Sequence, residues 1–371
     1  MDVKSFLSII GCDFYTGVPD SALKPLCDYL AMEYGKEKHI IAANEGNCVA
    51  LAAGYHLATG KIPMVYMQNS GEGNIINPLA SLLNPKVYAI PMVFVIGWRG
   101  EPGKKDEPQH IYQGEVTEKL LEDMGVEHFV VGEETTEEEL NAVMRRFNEL
   151  LDRGMDVAFV VKKGALSYDK KATYRNEYTL VREDAVRVIA EETEGLPVVS
   201  TTGKISRELF EIREAAGQGH QYDFLTVGSM GHCSSIALGI ALQKPETNVV
   251  CIDGDGAVLM HMGAMSVIGN LAPANLIHIV LNNEAHETVG GMPTAASSIS
   301  FPDVAKACGY KRAVCVSDED ALREEIKKDM SEKGPVLIEV KCALGARADL
   351  GRPTTTALEN KEAFMSWLNG S

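Results

Sequence analysis

Two short polar motifs, each directly after a strand-like apolar run, contain the residue types best suited to chemistry. The first is Gly254-Asp255-Gly256 and the second is Asn282-Asn283. Because the carboxyl ends of parallel strands meet at one edge of a sheet, we expect Asp255 and Asn283 to emerge side by side there. Carboxylate, amide and carbonyl oxygens are the hard ligands that Mg²⁺ prefers. The pair of motifs therefore predicts a magnesium site at that edge.

Either motif alone is typical of a tight turn, but together, at this spacing, they resemble the signature of thiamine-diphosphate-dependent enzymes. The resemblance implies that the chain binds thiamine diphosphate and Mg²⁺. It assigns the metal to Asp255, Asn283 and the backbone carbonyl of Ala285. It also implies that Gly256 and Ala257, at the start of the next helix, lie against the diphosphate, where helix N–H groups favour an anion.

A second part of the resemblance lies near the N-terminus, where Glu45 begins a helical pattern. An acidic residue at that place would otherwise only suit the helix dipole. The family has a glutamate here that contacts the aminopyrimidine ring of the cofactor, and the resemblance assigns that role to Glu45. A poorly solvated carboxyl group has a raised pKa and can share its proton with a ring nitrogen, which promotes formation of the thiamine diphosphate ylid.

The small-residue segment 226–231 opens a further helical pattern. The resemblance implies that the carbonyl of Gly228 contacts the pyrimidine amine and that Met230 supports the bent shape of the cofactor. Without the resemblance, the segment would be a turn with Met230 in the core. Gly203 matches more weakly a family glycine near the diphosphate.

The segment 97–110 contains three cations and a histidine within fourteen residues of an acidic chain: Arg99, Lys104, Lys105 and His110. Clustered cations suit a doubly charged phosphonate or sulfonate headgroup. The Gly and Pro residues of the segment equally suit a solvated surface loop.

Three segments, 17–21, 68–74 and 98–110, resemble one branch of the family, the phosphonopyruvate decarboxylases, with the sulfopyruvate decarboxylases as close relatives. This implies decarboxylation of 3-phosphonopyruvate to phosphonoacetaldehyde and CO₂, for phosphonate products of the 2-aminoethylphosphonate type. It places Asp20, with His110, in proton handling. The candidate substrate contacts are Asn69, Ser70, Arg99, Lys104 and Lys105.

Other activities fit part of this pattern. The alternatives are sulfopyruvate decarboxylation, a carboligase of the acetolactate type, and a regulatory subunit that has the fold without the chemistry. The last alternative conflicts with the presence of Glu45, Asp255 and Asn283 together.

Short β-branched runs alternate with longer amphipathic stretches, which predicts a doubly wound α/β fold with parallel strands buried on both faces. One apolar segment, 257–268, is predicted to be a single helix. A polar, Tyr-rich segment without periodicity separates two α/β halves. We therefore predict a pyrimidine-binding domain over 1–165, a linker over 166–181 and a diphosphate-binding domain over 182–371, with no third domain between them.

The composition limits the possible partners. The 371 residues include 35 Lys+Arg and 52 Asp+Glu, a net charge of −17, which argues against nucleic acid and anionic membranes. The eight cysteines show no CxxC spacing, and no segment reads as a signal peptide or a membrane span, so we expect reduced thiols and a cytoplasmic location. The resemblance implies a homo-oligomer whose active sites, with Glu45 and Asp255, lie at subunit interfaces.

Overall fold

A computed structural model describes residues 1–370, which form two units. The first unit is Met1–Tyr174 together with Val289–Met292, and the second is Arg175–Thr288 together with the residues from Pro293 onward. The division between Tyr174 and Arg175 lies inside the segment predicted as a linker. The assignment of pyrimidine binding to one half and diphosphate binding to the other remains a prediction.

The first unit contains a six-stranded parallel sheet in the order β2-β1-β3-β4-β6-β5. Its strands are β1 Tyr15–Gly17, β2 His39–Ile41, β3 Met64–Gln68, β4 Val93–Gly97, β5 Glu127–Val131 and β6 Val157–Val161. Its helices are α1 Val3–Ile10, α2 Lys24–Glu33, α3 Glu45–Thr59, α4 Glu72–Pro78, α5 Pro108–Asp123 and α6 Glu137–Leu151. Asn69–Gly71 is a 3₁₀ turn, and Leu79–Leu83 is π-helical.

Helices α1, α2 and α6 cover one face of this sheet. The ring of Phe159 in β6 lies between Phe6 and Phe147, with centroid distances of 5.6 and 5.2 Å. Residues of β6 that alternate with Phe159, such as Ala158 and Val160, are also fully buried. Both faces of the sheet are therefore covered, which explains the continuous apolar character of its strands.

The second unit contains a six-stranded parallel sheet in the order β13-β14-β10-β9-β7-β8. Its strands are β7 Val198–Ser200, β8 Asp223–Leu225, β9 Val249–Gly254, β10 Leu276–Asn282, β13 Arg312–Val316 and β14 Val336–Lys341. The short β11 Ala285–His286 also belongs to this unit, and β12 Met292–Pro293 stands where the chain passes from the first unit back to the second. Its helices are α7 Arg182–Glu192, α8 Lys204–Ala216, α9 Cys233–Gln243, α10 Asp255–Met260, α11 Gly263–Leu271, α12 Phe301–Cys308, α13 Glu319–Ser331 and α14 Ala357–Asn369. Glu287–Val289 and Ala295–Ser298 are 3₁₀ turns.

Apolar clusters cover both faces of this sheet as well. Helices α7, α8 and α13 pack on one face, and α9, α11 and α12 pack on the other. In the second cluster Cys233 and Cys251, both free thiols, place their Sγ atoms 3.8 Å apart, close to the buried Asp253. The predicted α/β class with two parallel sheets is confirmed.

The prediction of a single helix over 257–268 is wrong, because the structure has two helices there, α10 and α11. The backbone leaves the helical region at His261. Gly231 packs so closely at this point that an added Cβ would lie 2.7 Å from the His261 ring. A contact with a residue this distant in sequence leaves no trace in the apolar pattern.

Over residues 1–370, no helix has the length and apolar character needed to cross a membrane.

Candidate active site

The strand order places a crevice at the same position in each sheet. In the first unit the order reverses between β1 and β3, and in the second unit it reverses between β7 and β9. Ligands of open α/β sheets bind beyond the carboxyl ends of the strands at such reversals. Asp20 follows β1 and Asn69 follows β3, while Gly203 follows β7 and Asp255 follows β9. The predicted site residues therefore collect at these two edges, one in each unit.

Glu45 is the first residue of α3, in a turn capped by Asn44, whose side chain accepts from the backbone N–H of Asn47. The Glu45 carboxyl is buried, and its Oε2 accepts a hydrogen bond from Nδ2 of Asn74 at 2.7 Å. Burial raises the pKa of Glu45 and outweighs this hydrogen bond, which acts in the opposite direction. The surroundings of Glu45 therefore favour its protonated form.

Gly71 allows this arrangement, because a Cβ at that position would lie 2.5 Å from Cγ and 2.6 Å from Oε1 of Glu45. The turn before α4 therefore packs directly on the Glu45 side chain.

Asp20 is fully buried and receives three N–H donors. Its Oδ2 accepts from the backbone of Ala22 at 2.8 Å and of Leu23 at 3.2 Å, and its Oδ1 accepts from Nε2 of Gln68 at 2.6 Å. Burial raises the pKa of Asp20 despite these hydrogen bonds. A Cβ on Gly97, at the end of β4, would collide with Oδ2 of Asp20. The carboxyl is therefore held in one position.

The loop after β4 is organised by an ion pair. Arg99 donates to Asp106 through Nε at 2.8 Å and through Nη2 at 2.5 Å, and its Nη1 donates to Oγ of Ser21 at 3.1 Å. Asp106 also accepts from the backbone N–H groups of Gly100 and Glu107. Burial opposes ionisation, but these contacts hold the pKa of Asp106 below its usual range. The guanidinium is thus fixed beside the Asp20 turn.

The side-chain amide of Asn69 forms hydrogen bonds that hold this loop in place. Its Nδ2 donates to the carbonyl of Arg99 at 2.8 Å and to Oγ1 of Thr117 at 2.9 Å, and its Oδ1 accepts from the N–H of Arg99 at 3.2 Å. Both amide hydrogens are engaged inside the first unit. The fully buried Asn69 therefore positions the loop after β4. The sequence had predicted a substrate contact for Asn69, not this structural role.

The other predicted residues of this edge differ in exposure. Ser70 is exposed and donates to Oε1 of Gln68 at 2.8 Å. Lys104 and Lys105 are exposed, with no ion pair within residues 1–370. His110, at the start of α5, is partly buried, and burial together with the charge of Arg99 lowers its pKa to about 4, so the imidazole is neutral at pH 7.

In the second unit Asp255 begins α10 and is buried. Its Oδ2 accepts a hydrogen bond from Oγ1 of Thr294 at 2.5 Å. Burial raises the pKa of Asp255 to about 7, and within residues 1–370 no Lys, Arg or His forms an ion pair with it. A buried carboxyl without a compensating cation is a suitable ligand for a divalent metal ion.

The two asparagines at the end of β10, Asn282 within the strand and Asn283 directly after it, make different contacts. Asn282 donates to Oε1 of Glu339 at 2.7 Å and accepts from the backbone of Glu284, so its side chain fixes the turn. Asn283 donates to Oε2 of Glu287 at 2.7 Å, and its Oδ1 accepts from the N–H of Ala285 at 3.2 Å. An amide oxygen has a second lone pair, so Oδ1 of Asn283 can still coordinate a metal.

The glycines of this edge allow close approach of backbone and ligand. Gly203 precedes α8 with φ +100°, a conformation that side chains disfavour. A Cβ on Gly256 would lie 3.3 Å from Cε of Met230 and 3.4 Å from the ring of His286. Gly228 lies in the turn after β8, and Ala257 is buried in the first turn of α10. These residues, with Asp255 and Asn283, fit a diphosphate and its metal ion.

Four side chains of these edges were not predicted: Gln68, Asn74, Asp106 and Thr294. The first two lie within the segment 68–74, which the sequence had singled out, so position in that motif was an available signal. Thr294 is far from Asp255 along the chain, and only the fold brings the two together.

Comparison with known proteins agrees with the geometry. Residues 3–121 match the family model "Thiamine pyrophosphate enzyme, N-terminal TPP binding domain", and residues 201–340 match "Thiamine pyrophosphate enzyme, C-terminal TPP binding domain".

Curated relatives match along nearly the whole chain. A phosphonopyruvate decarboxylase of Streptomyces viridochromogenes is 34% identical and the match covers 99% of this chain and 94% of the relative. One from Streptomyces hygroscopicus is 35% identical over 99% of this chain and 93% of the relative. A sulfopyruvate decarboxylase of Methanosarcina acetivorans is 28% identical over 86% of this chain and 84% of the relative. The chain therefore belongs to the thiamine pyrophosphate enzyme family, in the branch that contains the phosphonopyruvate decarboxylases.

Proposed function

We propose that this protein decarboxylates 3-phosphonopyruvate to phosphonoacetaldehyde and CO₂ with thiamine diphosphate and Mg²⁺. The observation that carries the proposal is the segment 97–110, in which Arg99 is fixed beside Asp20 at the reversal point of the first sheet and Lys104 and Lys105 are exposed. The likeness to phosphonopyruvate decarboxylases at 34–35% identity over 99% of the chain supports the same substrate.

The residues of the second unit would hold the cofactor. Asp255, Oδ1 of Asn283 and the carbonyl of Ala285 would bind Mg²⁺, and Gly203, Gly256 and Ala257 would admit the diphosphate. Gly228 and Met230 would contact the rest of the cofactor. Thiamine diphosphate, once bound, supplies a nucleophilic carbon and an electron sink for decarboxylation.

Glu45 would hold a proton for the aminopyrimidine ring. The hydrogen bond from Asn74 occupies Oε2 and leaves Oε1 to carry the proton, and burial, which raises the pKa of Glu45, favours the protonated form. Gly71 packs on the same carboxyl and excludes water from it. In this proposal the first unit supplies the carboxyl group that would share a proton with the aminopyrimidine ring.

Substrate binding and proton delivery would occur at the neighbouring strand ends. Lys104 and Lys105 are the cations left to meet the doubly charged headgroup, because Arg99 already donates to Asp106 and Ser21. Arg99 adds positive charge at a fixed place, and Ser70 offers an exposed hydroxyl. Asp20, with its raised pKa, and neutral His110 would exchange protons with the reacting carbon.

Turnover of three substrates by one preparation tests the proposal. With thiamine diphosphate and Mg²⁺ added, we expect kcat/KM to be highest for phosphonopyruvate, lower for sulfopyruvate and lowest for pyruvate. EDTA treatment should abolish turnover, and added Mg²⁺ should restore it. A preference for sulfopyruvate would reject the substrate, and carbon–carbon bond products with an added acceptor aldehyde would instead indicate a carboligase.

We also propose that at least two copies assemble, with Glu45 of one copy and Asp255 of another serving the same cofactor. Helix α3, which begins at Glu45, exposes Leu51 and Leu57 to solvent at 40% and 73%, as expected of a surface that another copy covers.

Mixing two inactive variants, Glu45→Gln and Asp255→Ala, after partial unfolding and refolding tests this assembly. Hybrid dimers contain one intact site, so activity should recover to about a quarter of the wild-type value. If each copy carried a complete site of its own, the mixture would stay inactive.

A further inference from the structure

Gln68, the last residue of β3, links the protein surface to the buried Asp20. Its Nε2 donates to Oδ1 of Asp20 at 2.6 Å, and its Oε1 accepts from the hydroxyl of the exposed Ser70 at 2.8 Å. An ionised carboxyl group can only accept, so Asp20 selects the N–H end of the amide, and the hydroxyl of Ser70, which can donate or accept, donates to the oxygen end. The amide therefore presents an N–H, not an oxygen, to the carboxyl group.

The other contacts of Asp20 come from the backbone. The N–H groups of Ala22 and Leu23 both point at Oδ2, so Gln68 is, within residues 1–370, the only side chain with a hydrogen bond to Oδ1. Gly97 closes the space beside Oδ2. The orientation of Oδ1, the oxygen still able to give or take a proton, thus depends on Gln68.

We propose that Gln68 is a positioning residue that orients the Asp20 carboxyl group and favours its ionised form, so that Asp20 exchanges its proton in the working pH range. The proposal rests on the function proposed above, in which Asp20 handles a proton. Ser70 then acts one step further out, by holding the Gln68 amide in the donating orientation.

Burial and the charge of Arg99 act on the charge state of Asp20 beside the hydrogen bonds from Gln68 and from the backbone of Ala22 and Leu23. Burial favours the protonated form, and the positive charge of Arg99 from the loop after β4 favours the ionised form. The thiol of Cys27 on α2 also lies near Asp20. Arg99 is itself held by Asp106, so its contribution is fixed. Removing the Gln68 donor leaves burial less opposed, which moves the proton exchange of Asp20 to higher pH.

The test compares Gln68→Leu and Gln68→Glu with Gln113→Leu as a matched control. Gln113 is a neighbouring glutamine that donates to the backbone carbonyl of Asn69 and, within residues 1–370, forms no hydrogen bond with Asp20. For Gln68→Leu we expect kcat to fall about tenfold with KM changed less than about threefold, and the limb of the pH–kcat profile that belongs to Asp20 to move up by roughly one pH unit. Gln68→Glu, which adds a like charge, should move the limb further in the same direction. The profile of Gln113→Leu should match the wild type.

A double-mutant comparison separates this role from a structural one. In an Asp20→Asn background, Gln68→Leu should cause no further change in kcat, because the group it acts on is gone. The same loss in both backgrounds, or an unmoved pH limb with a lowered Tm, would overturn the proposal.

Infrared spectroscopy provides a readout independent of turnover. The band of the protonated Asp20 carboxyl, identified by its loss in Asp20→Asn, should titrate at higher pH in Gln68→Leu than in the wild type. An unshifted band would reject the role of Gln68 even in an active enzyme. A shifted band in a protein that turns over no 2-oxo acid would support the role of Gln68 and reject the proposed function.

Discussion

The two units share a strand order but differ in the partners that surround their buried carboxyl groups. If the strands of each unit are numbered along its own chain segment, both sheets run in the order 2-1-3-4-6-5, with the reversal between the first and third strands. No sequence repeat accompanies this shared topology. Differences between the two units therefore come from their side chains and not from the order of their strands.

In the first unit, four buried carboxyl groups have no ion pair: Asp20, Glu45, Glu72 and Asp156. Burial raises the pKa of each, to about 8 for Glu72 and Asp156. In the second unit, buried carboxyls face cationic groups or histidine: Glu208 contacts Arg182, Asp223 contacts Arg213, Asp253 contacts His278, Asp329 contacts Arg312 and Glu339 contacts Lys341.

Asp255 is the exception among the buried carboxyls that the structure describes in the second unit, because it accepts from the hydroxyl of Thr294 and from backbone N–H groups but has no cationic or histidine partner. In a unit that otherwise gives its buried carboxyls such a partner, the one that lacks it is the residue proposed to bind Mg²⁺. The first unit, in contrast, keeps several carboxyls in surroundings that favour the protonated form. This difference agrees with the proposed roles, proton transfer by Glu45 and Asp20 in the first unit and cation binding by Asp255 in the second.

The largest effects are expected when Glu45 of the first unit and Asp255 of the second unit are each replaced by a neutral residue. Glu45→Gln should lower kcat by at least about 10²-fold while leaving Mg²⁺ and thiamine diphosphate affinity nearly unchanged. Asp255→Ala should abolish metal-dependent cofactor binding as well as turnover. Isothermal titration calorimetry and steady-state kinetics on both variants measure this contrast. An equal loss of cofactor affinity in both variants would show that the two carboxyl groups do not have different roles.

A smaller loss is expected from filling the space beside Glu45. Gly71→Ala puts a Cβ 2.5 Å from Cγ of Glu45, so the carboxyl must move, at a cost of about 1–3 kcal/mol, and kcat should fall about tenfold or more. Gly73→Ala is the matched control, because a Cβ there meets nothing within 4 Å. That variant should retain activity and gain up to about 1 kcal/mol of stability from helix propensity. Wild-type kcat in Gly71→Ala would show that the Glu45 position is not critical.

Lys104 and Lys105, in the loop after β4, should affect substrate binding more than the rate of the chemical step. Replacing both Lys104 and Lys105 with Ala should raise KM for phosphonopyruvate about tenfold and change kcat little. A double replacement of the exposed Lys163 and Lys171 changes the net charge equally but lies outside the loop, so it controls for long-range attraction. An equal rise of KM in both double variants would locate the effect in net charge and not in the loop.

The smallest effect concerns stability, and it tests whether carboxyls of the first unit are protonated. Both oxygens of Glu72 are buried without a hydrogen-bond partner among the described residues, and burial raises its pKa from 4.5 to about 8. Between these pH values the folded state binds a proton that the unfolded state lacks, so stability falls as pH rises, by up to about 1.4 kcal/mol per pH unit.

Glu72→Met should remove this pH slope and stabilise the protein at pH 8 by about 1–3 kcal/mol. Urea unfolding at pH 5, 6.5 and 8 measures the effect. Glu115→Met, at an exposed position, should leave the slope unchanged. A Glu72→Met protein whose slope equals that of the wild type would show that Glu72 ionises normally in the folded state.

Sequence reasoning located the fold class and the two motif-bearing edges, because apolar runs and turn residues are local signals. The runs that predicted strands correspond to the central strands β3, β4, β6, β9, β10 and β14, which are buried on both faces. Short strands such as β1 and β8, with three residues each, give too few alternating positions to stand out. The break between α10 and α11 was missed because the apolar pattern continues across His261, where the distant Gly231 packs against the chain.

The sequence by itself determined which residue types stand at the ends of strands, since the motifs around Asp255 and Asn283, and the one containing Glu45, are contiguous. The tertiary structure decided which partner each of them has. Asn74 bonds Glu45, Thr294 bonds Asp255 and Gln68 bonds Asp20, and each of these pairs is separated by 29 residues or more along the chain. Charge state depends on burial and on such partners, and both arise only when distant segments pack together.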